Sequence, residues 1–270
     1  MITLCLATGL AGPLMGASPD VVRGLPLSGA QAEAFLLEAE IVDRKPIGVG
    51  ITRPEKVTLS DGIRTHYAVW KTVDEFRYGL QRGRRGGYQL GFRDSFKFEI
   101  AAYELDKLLG FGIVPPTVMR RIGDREGSLQ MWVEDGFTEL ERQERDLKAP
   151  DPIAWSDGLH ELRLFQALVY DSDYLNIRNV LYDTSFRVYS IDHSRAFRSY
   201  PKLLQEERLL RFSMQILEQL SSLSATSLDV TLGEWLDEAE IRGLLARRDK
   251  ILSRAQTLAG KLGEDTVLYP

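Results

Sequence analysis

The chain has 270 residues, 44% of them hydrophobic and 27% charged, with a net charge of -5. That length supports one large domain or two lobes around a sizeable core, and the acidic balance argues against a nucleic-acid binder driven by phosphate contacts. No apolar run reaches the roughly 18–20 residues a bilayer crossing needs, and the single cysteine, Cys5, excludes disulfides and cysteine metal sites in the body of the chain.

Residues 1–27 stand apart. The stretch MITLCLATGLAGPLMGASPD is apolar and small. It reads either as the core and cleavage region of a signal peptide that lacks the positive start, or as a disordered N-terminus. Exported (periplasmic) and cytoplasmic locations therefore both stay open. Ser28 to Glu40 carries a helical pattern with Ala34, Leu37 and Ala39 among charged positions. Three short strands follow: Ile41 to Gly50, Lys56 to Ser60, and His66 to Thr72, the last ending in Ala68-Val69-Trp70-Lys71. The glycines of Gly48-Val49-Gly50 let backbone N–H groups approach an anion without a Cβ in the way.

Next comes RYGLQRGRRGGYQLGFR, whose glycines and arginines (Arg77, Arg82, Arg84, Arg85, Arg93) predict a mobile surface loop. The same arginines could clamp an anionic substrate, since a guanidinium grips phosphate or carboxylate bidentately. Asp94 to Gly110 predicts a helix capped by Asp94 or Ser95 and ended by Gly110, with Phe98, Ala101, Ala102, Leu105 and Leu109 as its apolar stripe and Glu99 at the edge. Strands at Thr117–Ile122 and Ser128–Val133 follow, and the chain divides near Val133 to Gly136. Pro150 and Pro152 precede a further helix, and helical patterns at 203–220, 232–245 and 246–262, with a linker at 221–227, complete the chain.

The densest chemistry lies in LRLFQALVYDSDYLNIRNVLYDTSFRVYSIDHSRAF, Leu162 to Phe197. A helical pattern runs into Asp171, Asp173, Asn176 and Asn179. A hairpin of Val180–Tyr182 with Arg187–Ile191 then brings Asn179 close to Asp192. An amide oxygen beside a carboxylate offers hard ligands to Mg²⁺ or Mn²⁺, and a metal held by so few protein groups takes phosphate oxygens to complete its shell. The arrangement suggests a phosphoryl-transfer site.

The order Asp…Asn, strand, turn, strand, Asp resembles the catalytic and metal-binding loops of protein kinases. With Ile-Asp-His in place of Asp-Phe-Gly, it is most similar to the atypical branch that includes phosphatidylinositol 3- and 4-kinases, HipA-type kinases and secretory-pathway casein kinases. The block FEIAAYELDKLLGFGIVPPTV resembles uncharacterised bacterial kinase-like proteins. The resemblance implies an α+β, two-lobed protein-kinase-like fold, with a small β-sheet lobe carrying one helix at 28–134 and a mainly helical larger lobe at 135–270. It implies ATP and Mg²⁺ or Mn²⁺ as cofactors, and an unidentified acceptor (protein, lipid or small molecule) with a protein hydroxyl favoured. Gly48 and Gly50 would lie over the phosphates. Lys71 would pair phosphate oxygens and be held by Glu99, with Glu104 as the alternative. Met131, Trp132 and Val133 would form the hinge beside the adenine, Asn179 and Asp192 would bind metal, and Asp173 would orient or deprotonate the acceptor.

Two departures keep other readings open. There is no Ala-Pro-Glu segment, and Asp173 precedes Asn179 by six residues where related kinases have five, a spacing that Asp171 and Asn176 do keep. A nucleotide-binding module without turnover and a transferase of AMP are the alternatives. Oligomeric state is not legible.

Overall fold

The computed structural model describes residues 24–48, 54–82 and 88–270. Most of the N-terminal segment, Cys5, Gly50, Arg84 and Arg85 lie outside these residues. Residues 24–27, set aside with the N-terminus by sequence, belong to the fold: Gly24 exchanges backbone hydrogen bonds with Glu134 (3.0 and 2.7 Å), and Leu25 and Leu27 pack against an apolar cluster.

Helix α1 (Gly29–Glu38) is followed by strands β1 (Glu40–Pro46), β2 (Glu55–Ser60) and β3 (Thr65–Lys71). With β6 (Thr117–Ile122) and β7 (Arg125–Met131) these form an antiparallel sheet in the order β1-β2-β3-β7-β6. The alternation of β3 divides its side chains between two faces. Ala68 and Trp70 point into a cluster with Phe35 and Leu36 of α1 and Val57, Leu59, Leu129 and Met131 of the sheet, which leaves Val69 and Lys71 on the opposite face.

The arginine-rich stretch expected to be a loop contains a hairpin, β4 (Asp74–Arg82) and β5 (Tyr88–Ser95). Its polar, glycine-rich composition conceals strands paired mainly with each other. The hairpin is tied down by Arg93, which bonds Glu240 and lies 3.3 Å from Asp237, and by the Lys97–Asp74 ion pair at 3.1 Å.

Helix α2 (Phe96–Leu109) starts at Ser95, whose side chain accepts the Lys97 N–H, and ends at a left-handed Gly110. It packs on β6 and β7 on one side and on the C-terminal helices on the other. Past its end, the buried Asp106 carboxylate accepts the backbone N–H groups of Gly112, Ile113 and Val114. Burial still pushes this acid up to about 6 against the pull of those amides. We expect Asp106→Ala to lower unfolding stability by at least about 2 kcal/mol in a urea titration, because the two buried donors, Ile113 and Val114 N–H, lose their acceptor at roughly 1–3 kcal/mol each. A loss below about 1 kcal/mol would show that water replaces the carboxylate.

The helical lobe contains β8 (Phe137–Thr138), α3 (Glu139–Glu144), α4 (Pro152–Val169), β9 (Val180–Tyr182) and β10 (Val188–Ser190), then β11 (Phe212–Ser213), α5 (Met214–Ser222), α6 (Ala225–Leu232), α7 (Glu238–Leu262), α8 (Glu264–Val267) and β12 (Leu268–Tyr269). Three expectations are corrected by this lobe. Residues 203–211 are not an α-helix, since Gln205 is left-handed and only one 3-10 turn forms at Glu206–Arg208. The expected linker at 221–227 instead holds the start of α6, where Ser224 and Ser227 make a capping box. The two expected C-terminal helices are one, α7, capped by Asp237 with Glu240.

Candidate active site

Helix α2 and the segment after β10 both meet Lys71 of β3. Its Nζ lies 2.6 Å from Glu99 Oε1 and 2.8 Å from Asp192 Oδ1. Glu99 is 1% exposed, and its second oxygen accepts the His193 N–H at 3.1 Å. One buried carboxylate therefore joins the sheet's lysine to the backbone just after Asp192. Glu104, the alternative partner, instead pairs with Lys107 at 3.0 Å. Burial alone would lower the Lys71 ammonium, but Asp192 and Glu99 outweigh it and hold the group above its ordinary value. Burial pushes Glu99 up against the pull of Lys71, while Lys71 holds Asp192 down.

Asp192 has φ +65, a left-handed conformation that costs a residue with a Cβ about 1–3 kcal/mol. The surroundings hold it there. Ile191 N–H donates to Asn179 O at 3.0 Å, linking the two ends of the β9–β10 hairpin. The buried His193 ring sits edge-on to Phe165 with Nε2 3.3 Å from Ser190 O, and burial pushes it down to about 4, so it stays neutral at physiological pH.

The loop before the hairpin begins where α4 ends at a left-handed Tyr170. Asp171 is 1% exposed, accepts the Asp173 N–H at 2.9 Å, and is pushed up to about 7 by burial with added repulsion from Asp173 and Asp192. Asn176 Nδ2 donates to both Asp173 Oδ2 and Asn179 Oδ1 at 3.0 Å, and Asn179 Nδ2 lies 3.4 Å from Asp173 Oδ2. A 3-10 turn at Ile177–Asn179, capped by the Asn176 side chain, takes up the extra residue and brings Asn179 back to Asp173. Asn176 is thus a member of the network that spacing alone had offered only as a rival register. Two further contacts had no sequence signal at all: Arg195 grips the buried Asp94 through Nε and Nη2, both at 2.8 Å, and Ser172 Oγ donates to Arg195 O at 2.9 Å.

Part of the expected hinge is engaged within the fold itself. Met131 N–H donates to Pro116 O, Trp132 N–H to Tyr67 O and Glu134 N–H to Gly24 O, at 2.7–2.9 Å. These three amides are used by the sheet and the N-terminal segment, and the Met131 side chain faces the α1 cluster. Val133 is buried. Trp132 keeps a polar neighbour: Lys56 Nζ lies 4.2 Å from its ring centre and 3.8 Å from that of Tyr67. Gly48, with φ +72, lies just beyond the last β1–β2 pair, Pro46 with Glu55, and Gly50 falls outside the described residues.

Asn179 and Asp192 offer an amide and a carboxylate oxygen, a donor set suited to Mg²⁺ or Mn²⁺. Among the described residues no three His, Cys, Asp or Glu side chains form a preformed metal cage. Sheet, crossing helix and helical lobe together define the chain as an atypical protein-kinase-like fold. Solved structures of the same shape include a hydra Fam20, solved with sugar (TM-score 0.63, 16% identity, 88% of this chain and 90% of that one), and a Golgi casein kinase (0.60, 16%, 88% and 78%). The Helicobacter pylori proinflammatory kinase CtkA is also similar (0.51, 10%, 84% and 98%). No protein-family model and no curated protein matches the sequence.

Proposed function

We propose that the protein is an ATP-dependent phosphotransferase that uses a divalent metal and acts on an acceptor hydroxyl, a protein side chain being the favoured class. The observation that carries this reading is the Lys71 ammonium held between Glu99 and Asp192. A lysine fixed beside a potential metal carboxylate is a ready counter-charge for nucleotide phosphates. Bound through Asn179 and Asp192, Mg²⁺ or Mn²⁺ would neutralise charge on the phosphates. Asp173, bridged to Asn179 through Asn176, would orient the acceptor and take its proton as the acceptor oxygen bonds to the γ-phosphorus and ADP leaves.

A second reading, nucleotide binding without turnover, draws support from the spacing of Asp173 and Asn179, one residue longer than in related kinases. Incubation with ATP and Mn²⁺, with and without a generic protein acceptor such as casein, followed by intact-mass analysis, separates the outcomes. One added phosphoryl group supports the proposal, one adenylyl group replaces it with AMP transfer, and no change alongside an ATP-induced rise in Tm favours the binding module.

A further inference from the structure

Arg247 of α7 is fully buried, yet no carboxylate pairs with it among the described residues. Its Nε donates to Leu168 O at 2.7 Å, and its Nη1 donates to Arg198 O at 2.7 Å and Tyr200 O at 2.6 Å. Leu168 belongs to the last turn of α4, whose carbonyls have no intrahelical partner, and a cation there also meets the negative end of the helix dipole. Arg198 and Tyr200 lie in the segment that follows Asp192. One guanidinium thus joins the helix that delivers Asp171 and Asp173 to the chain that leaves Asp192.

Other contacts run along the same seam. Phe197 N–H donates to Val169 O at 2.6 Å, and the Tyr170 and Tyr200 rings meet edge to face at 5.3 Å. Tyr170 and Phe197 are both left-handed without being glycine, at φ +52 and +54, so the seam must be imposed by its surroundings. The α7 backbone comes so close that a Cβ on Gly243 would lie 2.8 Å from the Ser199 carbonyl carbon.

We propose that Arg247 is a positioning residue that splints the Asp171–Asp173 loop to the segment after Asp192, keeping both carboxylate-bearing strands of chain in register for transfer. This rests on the phosphotransfer reading, but the splint itself can be tested without turnover. Burial pushes the guanidinium down to about 10, which leaves it cationic at neutral pH. A lysine keeps the charge but lacks the planar fork that reaches three carbonyls at once.

The experiment compares wild type with Arg247→Lys, and with Arg247→Gln as the second variant. It measures kcat, ATP-induced change in Tm, and amide hydrogen exchange. Arg247→Lys should lower kcat by about ten- to a hundredfold, as misplacement of the reacting groups by about 1 Å would, with Arg247→Gln lower still. The ATP-induced Tm change should stay the same, and exchange should quicken at 170–173 and 196–200 while β3 and α2 are unaffected. In the wild type, residues 196–200 should open together with residues 244–250 of α7, a reading that needs no variant. Absence of transfer in the wild type would sink the phosphotransfer reading and leave the exchange data to decide the splint. Unchanged exchange in the variants, separate opening in the wild type, or loss of ATP binding in parallel with kcat would overturn it.

Discussion

Lys71→Met should lose the ATP-induced rise in Tm and, where transfer is measurable, lower it by about 10²–10³-fold, the usual cost of removing one preorganised charge from a phosphate or oxyanion site. The substitution also leaves Glu99 and Asp192 facing each other without a cation, and unpairing a buried ion pair costs about 3–5 kcal/mol. Burial already pushes Glu99 up, so part of that cost is relieved when Glu99 takes a proton. Lys71→Met with Glu99→Gln separates the two effects, since it removes the buried charge without restoring a phosphate partner. We expect the double variant to regain stability and still fail to respond to ATP with Mg²⁺ or Mn²⁺. An ATP response of wild-type size in either variant would remove Lys71 from the nucleotide site.

Asp173→Ala should lower transfer by about 10²–10⁴-fold, the span of a lost general base, while the ATP-induced change in Tm survives. The neighbouring acid should behave differently. Asp171 is buried and accepts the Asp173 N–H at 2.9 Å, so Asp171→Ala should cost roughly 1–3 kcal/mol of stability by orphaning that donor. Asp171→Asn keeps an acceptor oxygen and should preserve both fold and transfer. If Asp171→Asn is folded but inactive while Asp173→Ala remains active, the base is Asp171 and the two aspartates exchange roles.

Periodicity and end signals were legible where they acted locally. The alternation of Ala68-Val69-Trp70-Lys71, the start of α2 at Asp94 or Ser95 and its end at Gly110 read directly from sequence, because a strand's two faces and a helix's caps are set within a few residues. The β4–β5 hairpin did not read, because its glycines and arginines carry no period-two apolar pattern and its strands are held by each other and by distant partners such as Glu240. The break at 203–211 was hidden for a similar reason: a run of leucines looked helical, while the Leu209 carbonyl is bound by Arg254, 45 residues on.

The amino-acid sequence by itself determined the order of polar groups along the chain, with a lysine on a strand, a glutamate on the next helix, Asp173 and Asn179 before a hairpin and Asp192 after it, and its resemblance to kinase-like proteins implied the fold class. Local periodicity and end signals are enough to place each group on its element. Only the tertiary structure decided how these groups meet. It chose Glu99 over Glu104 for Lys71, drew Asn176 between Asp173 and Asn179, engaged the Met131, Trp132 and Glu134 amides, and placed Arg247 across two segments remote in sequence. Each of these outcomes depends on which buried donor finds which acceptor once the chain closes on itself. An unpaired polar group inside costs more than local propensity can repay, and its partner is chosen by the packed interior rather than by its neighbours in sequence.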